Sequence, residues 1–120
     1  MTIYGTGHQT RTFCFVEDAI LGFLQVLLLG KSGEAYNIGN PSPEISMRGL
    51  VELITKLSPR PVKSEFIAYP ESYPAGEPMR RCPDIAKAAK DVGYAPAVDL
   101  DHGLRAFLEW TEHAYTGMDL

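Results

Sequence analysis

The chain has 120 residues, the size of one domain, with 45% hydrophobic and 22% charged residues, an ordinary globular composition. A chain of this length is expected to bury roughly two thirds of its unfolded surface around one core. The net charge of −4 and pI near 5.3 exclude the clustered basic footprint of a nucleic-acid binder, so an anionic ligand has to be held by a few placed arginines.

In chain order, "MTIY" and "TRTFCFV" are short β-prone runs on either side of "GTGHQ", which predicts a hairpin with a Gly-rich turn. "EDAILGFLQVLLLG" follows as a helix, with Glu17 and Asp18 in the first turn, where the macrodipole favours acids, and Gly30 in a left-handed position after its end. This helix is apolar nearly all the way round and should be covered on most sides. "EAYNIGNP" predicts a short strand stopped by Gly39, Asn40 and Pro41.

A second helix is expected from Ser46, a suitable N-cap, with Leu50, Leu53, Ile54 and Leu57 on one stripe. "SEFIAY" reads as a strand. Residues 70–83, with four prolines and one glycine, read as a loop, and a loop that long is often a binding loop. Asp84 is expected to cap the short helix "IAKAAKDV", which Gly93 closes. The last helix is expected over residues 101–115, burying Leu104, Phe107 and Leu108. The layout is α/β in class, α+β-like, with about four helices and short strands in one domain over residues 1–120.

The two cysteines, Cys14 and Cys82, lie far apart and form no CxxC pair, which suits free thiols in a reducing compartment and no zinc site. Residues 19–29 are the longest apolar stretch, well short of the roughly 20 residues of a membrane span. With no basic-then-apolar signal pattern, the chain reads as soluble and cytoplasmic. His8, His102 and His113 are scattered, which argues against a shared metal site. Cys14 reads as a small buried side chain, Trp110 as packing, and Asn37 and Asn40 as turn formers.

Gly5 and Gly7 fit the first two glycines of a dinucleotide-binding fingerprint, but its sixth position is Thr10 and no helix begins inside the motif. Without a helix N-terminus the amides that hold a pyrophosphate are missing. The stretch offers other chemistry. A turn here can aim Arg11 into a cleft, where its planar guanidinium can engage two phosphate oxygens, and Tyr4 offers a flat ring to a nucleobase. A solvated Arg11 and a merely packed Tyr4 are the competing readings.

"TIYGTGHQTRTFCFVEDA", "YNIGNPSPEISMRGLVELI" and "RRCPDIAKAAKDVGYAPAVDLDHGL" together resemble the C-terminal part of extended short-chain dehydrogenases/reductases that act on nucleotide sugars. Similarity is greatest to UDP-glucuronate decarboxylases, then to dTDP-glucose 4,6-dehydratases and UDP-sugar 4-epimerases. The resemblance implies a lobe that clasps the nucleotide diphosphate of a UDP- or dTDP-sugar beside an NAD-binding Rossmann domain. It also implies roles for particular residues. Tyr4 lies against the nucleobase, Gln9 approaches base and diphosphate, Arg11 and Arg81 bind the diphosphate, and Asp84 sits near the ribose. For Asp84 the N-cap role can coexist with this, and Arg80 reads as a solvated neighbour.

Where the sequence departs from the family, Thr6 replaces an acid and Phe15 replaces a tyrosine. No glycine fingerprint and no Tyr-x-x-x-Lys pair occurs in these residues. They therefore resemble roughly the last third of such an enzyme, a fragment or a split or truncated product. The expectation is a substrate-binding lobe with no catalytic residues and no cofactor site of its own, NAD belonging to the complete enzyme. Its expected partner is the missing Rossmann half or a second copy. The alternative is a non-catalytic interaction or regulatory module that self-associates or pairs with a Rossmann-domain partner.

Overall fold

The computed structural model describes residues 1–71 and 78–115. Among these are five short strands and four helices. In chain order they are β1 (Thr2–Tyr4), β2 (Thr10–Arg11), α1 (Val16–Leu29), β3 (Ile45–Ser46), α2 (Met47–Leu57), β4 (Glu65–Ile67), β5 (Arg80–Arg81), α3 (Ala86–Val92) and α4 (Leu100–Ala114). The strands form two small sheets. β1 and β4 pair in parallel, and β2 lies between β3, antiparallel, and β5, parallel.

The expected hairpin does not form. β1 and β2 lie in different sheets, because Gly5 and Gly7 both take left-handed backbone and turn the chain away after β1. "EAYNIGNP" is irregular rather than a strand. Its polar side chains tie it down instead: Asn37 donates to the Asp84 carbonyl, and Asn40 to the Val98 carbonyl. Within the expected loop of residues 70–83, Arg80 and Arg81 form a strand, while residues 72–77 lie outside the described residues.

The helices follow their sequence signals closely. Ser46 caps α2 by accepting from Gly49 N at 3.0 Å, and the stripe Leu50, Leu53, Ile54 and Leu57 is half-buried. Gly93 closes α3 in the left-handed conformation. Asp84 Oδ1 accepts from Ala86 N at 2.9 Å, one residue ahead of the α3 N-cap position. α4 begins at Leu100 behind the Asp99 cap, and Phe107 on its expected buried stripe is exposed. Gly30 has an extended rather than a left-handed backbone, and glycine fits there because a Cβ would collide with the Val26 carbonyl oxygen.

The core sits where α1 crosses α3. Ala88, Val92 and Tyr94 are fully buried, with Val26, Tyr36, Ile38 and Ile85 against them. Gly22 permits this approach, since a Cβ there would stand 2.7 Å from the Tyr94 ring. Asp18 does more than favour the helix dipole. Its buried carboxylate accepts from Ala97 N at 3.1 Å and Val98 N at 2.9 Å, stapling the segment before α4 onto α1.

The rest of α1 is uncovered, with Leu27 and Leu28 each 77% exposed. The molecule exposes 8512 Å², against about 6,400 Å² for a compact protein of this mass. It therefore buries about 56% of its unfolded surface, not the two thirds expected from length. Among the described residues no helix is long and apolar enough to cross a membrane.

Candidate functional site

The Gly-rich loop is built as the opposite of a phosphate cradle. It presents carbonyls to a helix N-terminus: Met47 N donates to Gln9 O and Arg48 N to Gly7 O, each at 3.0 Å, while Gly49 N is taken by Ser46. The first amides of α2 are thereby spent, and its positive dipole end is closed to an anion. Gly5 N is likewise used, donating to Ile67 O at 2.8 Å. These residues do not fit NAD.

Immediately after the loop, β2 lines up with β5 so that Thr10 faces Arg80 and Arg11 faces Arg81. Facing residues on paired strands project to the same side, and successive residues to opposite sides. The three-stranded sheet thus has two chemically distinct faces.

On one face, Arg80 Nε donates to both Glu44 oxygens at 3.0 and 2.9 Å, and the Thr10 hydroxyl donates to the same carboxylate. The Thr10 hydroxyl first, and Arg80 next, hold the Glu44 carboxyl below its ordinary range. Arg80, expected to be solvated, is an ion-pair member. On the other face Arg11, half-buried, and Arg81, exposed, stand side by side although they are 70 positions apart in sequence. The Arg11 guanidinium also bonds locally, its Nη1 donating to the Thr10 carbonyl at 2.7 Å.

Three further residues are expected to act with this pair. Tyr4 ends β1, and its ring stacks on Tyr69 with centroids 5.8 Å apart and planes 19° from parallel. Gln9 is buried, and its Nε2 donates to the Tyr4 carbonyl at 3.0 Å and to the Tyr69 hydroxyl at 3.3 Å. Asp84 is exposed at the entry to α3, with one carboxylate oxygen accepting from Ala86 N and its carbonyl accepting from Asn37.

Sequence reasoning missed Tyr69 and Glu44. Glu44 lies in one of the family-like stretches and Tyr69 in none, and neither position signals its partner, since long-range strand pairing alone brings Arg80 to Glu44 and Tyr4 to Tyr69. A separate apolar cleft of about 340 Å³ is lined by Phe15, Val16, Leu50, Leu100, Leu104 and Phe107. It includes no arginine and does not suit a diphosphate.

Residues 1–39 match the NAD dependent epimerase/dehydratase family. UDP-glucuronic acid decarboxylase 4 of Arabidopsis thaliana is 36% identical over 104 residues, which cover 87% of this chain and 22% of the decarboxylase. The dTDP-D-glucose 4,6-dehydratase of Bos taurus is 32% identical over 112 residues, covering 90% of this chain and 31% of the dehydratase. In three dimensions the chain is similar to UDP-glucuronic acid 4-epimerase from Bacillus cereus, solved in complex with UDP-glucuronic acid and NAD. The TM-score is 0.81 at 34% identity, covering 95% of this chain and 35% of that one. The chain spans about a third or less of the length of these relatives. Fold and sequence agree over nearly all of its residues, and the chain is similar along that length to part of the NAD-dependent sugar decarboxylases, dehydratases and epimerases.

Proposed function

We propose that these residues are the nucleotide-sugar-binding lobe of an NAD-dependent sugar decarboxylase, dehydratase or epimerase. The observation that carries this reading is the register of β2 and β5, which sets Arg11 opposite Arg81. A diphosphate between the two guanidinium groups would be held by a charge-assisted clamp, each planar fork able to engage two oxygens. Tyr4 and Gln9 lie at the base side of this clamp, and Asp84 lies three residues beyond Arg81, toward the ribose. The bound ligand is a UDP- or dTDP-sugar.

The lobe's share of the reaction is to hold and orient the substrate, which contributes binding rather than bond making. The Tyr-x-x-x-Lys pair and the NAD cradle of the family are not among these residues. The chain alone therefore binds without turning over. Calorimetric titration with UDP and dTDP tests this. Weak binding of both is expected, reduced about 10-fold or more in Arg11→Ala or Arg81→Ala, the loss of one charge-assisted contact. No binding at millimolar ligand would count against the reading.

A second reading, an interaction module, is favoured by the exposed apolar surface of α1. It predicts self-association, or pairing with a Rossmann-domain partner, without a need for nucleotide.

A further inference from the structure

β5 carries an ambiguity that its backbone does not settle. It consists of two arginines at the edge of its sheet, and main-chain bonds hold it to β2. Thr10 N donates to the Met79 carbonyl at 2.7 Å and Thr12 N to the Arg81 carbonyl at 3.3 Å. Such bonds read no side chains, so they specify the register of a two-residue strand weakly. A slip of one residue in either direction would move Arg81 to the Thr10 face. Arg80 or Cys82 would then stand opposite Arg11.

Glu44 breaks this symmetry. It stands immediately before β3, and its carboxylate accepts from the Thr10 hydroxyl on β2. The same carboxylate accepts from Arg80 on β5, from Nε at 3.0 and 2.9 Å and from Nη2 at 2.9 Å. One side chain thus ties all three strands together on the face away from Arg11 and Arg81. With Arg80 held there, alternation along β5 sends Arg81 to the other face. Glu44 and Arg80 are both exposed, and an exposed ion pair adds little to global stability. Its consequence is local, a choice between two adjacent arginines.

We propose that Glu44 is a positioning residue that engages Thr10 and Arg80 together and so selects Arg81, rather than Arg80, to stand opposite Arg11. This rests on the diphosphate clamp of Arg11 and Arg81 and adds the group that chooses its second arginine. Glu44 acts through Arg80 and lies on the opposite face of the sheet from the ligand.

The test is a double-mutant cycle read by UDP titration, in wild type, Glu44→Ala, Arg81→Ala and the double variant. Arg81→Ala should weaken UDP about 10-fold or more when Glu44 is present, because Arg80 is held on the far face. In the Glu44→Ala background the same substitution should cost about 3-fold or less, since the released Arg80 takes the vacant place. A merely stabilising ion pair would leave the two losses equal, and equal losses in folded proteins overturn the proposal. Cross-strand NMR contacts report the register directly. Wild type should show residue 11 beside residue 81 alone, and Glu44→Ala should add a second set with residue 11 beside residue 80. A single unchanged set in Glu44→Ala overturns the proposal. Wild type that binds no UDP removes the clamp, and the cross-strand contacts then decide the register by themselves. Should Glu44→Ala fail to fold, the charge-swapped pair Glu44→Arg with Arg80→Glu decides. It should fold with the single wild-type set of contacts, and a second set or an unfolded chain overturns the proposal.

Discussion

Glycine at position 5 is held by two separate constraints, its φ of +67° and the Tyr69 ring where a Cβ would go. Gly33 has φ +78° with nothing within 4 Å, so it shares the first constraint only. Gly33→Ala should cost about 1 kcal/mol, the left-handed penalty alone. Gly5→Ala should cost about 2–4 kcal/mol, because the ring must also move. Thermal unfolding of the two variants checks the difference, and equal losses would mean that Tyr69 yields freely. At Tyr94 the balance concerns a proton. Burial first, and the contact with Cys14 next, push the phenol above its ordinary value near 10. Folding therefore favours the protonated form, and this contribution is present below about pH 10 and lost as pH rises beyond it. Tyr94→Phe should remove that alkaline component. At neutral pH it should start about 1 kcal/mol less stable, since the Gly39 carbonyl loses its donor at 3.1 Å. Urea midpoints of both proteins between pH 8 and 11 measure the two effects.

Among the elements, helices were easier to read than strands. α2 and α3 carry their own stop and start signals in Ser46 and Gly93, and α1 and α4 differ from expectation by one residue at their starts. Each depends on local chemistry. The strands are two or three residues long and pair across distances no local signal spans, as when β1 meets β4. The same contrast holds in the candidate site. Arg11 and Arg81 could be named from family-like motifs, but their side-by-side placement is a property of the register. Asp18 shows how a correct local reading can be incomplete. It does lie in the first turn of α1, yet its carboxylate is occupied by the amides of Ala97 and Val98. Asp18→Ala would leave both amides without that acceptor and release the segment before α4. The expected loss is about 2–4 kcal/mol, with faster amide exchange at residues 97 and 98. Exchange unchanged at those two amides would show that another group or water replaces the carboxylate.

For the whole molecule, the excess exposure and the shape agree. The radius of gyration is 16.9 Å, against about 13.6 Å for a compact chain of this length. About 2,000 Å² of surface beyond the compact value is more than one side of a standard protein interface, about 800 Å². Much of it belongs to α1, where Phe23, Leu24, Leu27 and Leu28 are all exposed. On either proposed reading, a patch of that kind is a surface for another protein unit. In the binding-lobe reading that unit is the Rossmann half, and in the interaction-module reading it is a partner or a second copy. Both predict that the 120-residue chain alone binds a hydrophobic dye and associates in light scattering at micromolar concentration. They part when UDP is added. A binding lobe should gain stability by RT ln(1 + [L]/Kd), about 1.4 kcal/mol at ten times Kd, with α1 still dye-accessible. An interaction module should show no nucleotide effect on its midpoint, whatever its association. A dye-silent monomer that unfolds with the steep urea dependence of a compact domain this size would overturn both, since it would mean that α1 is stable uncovered.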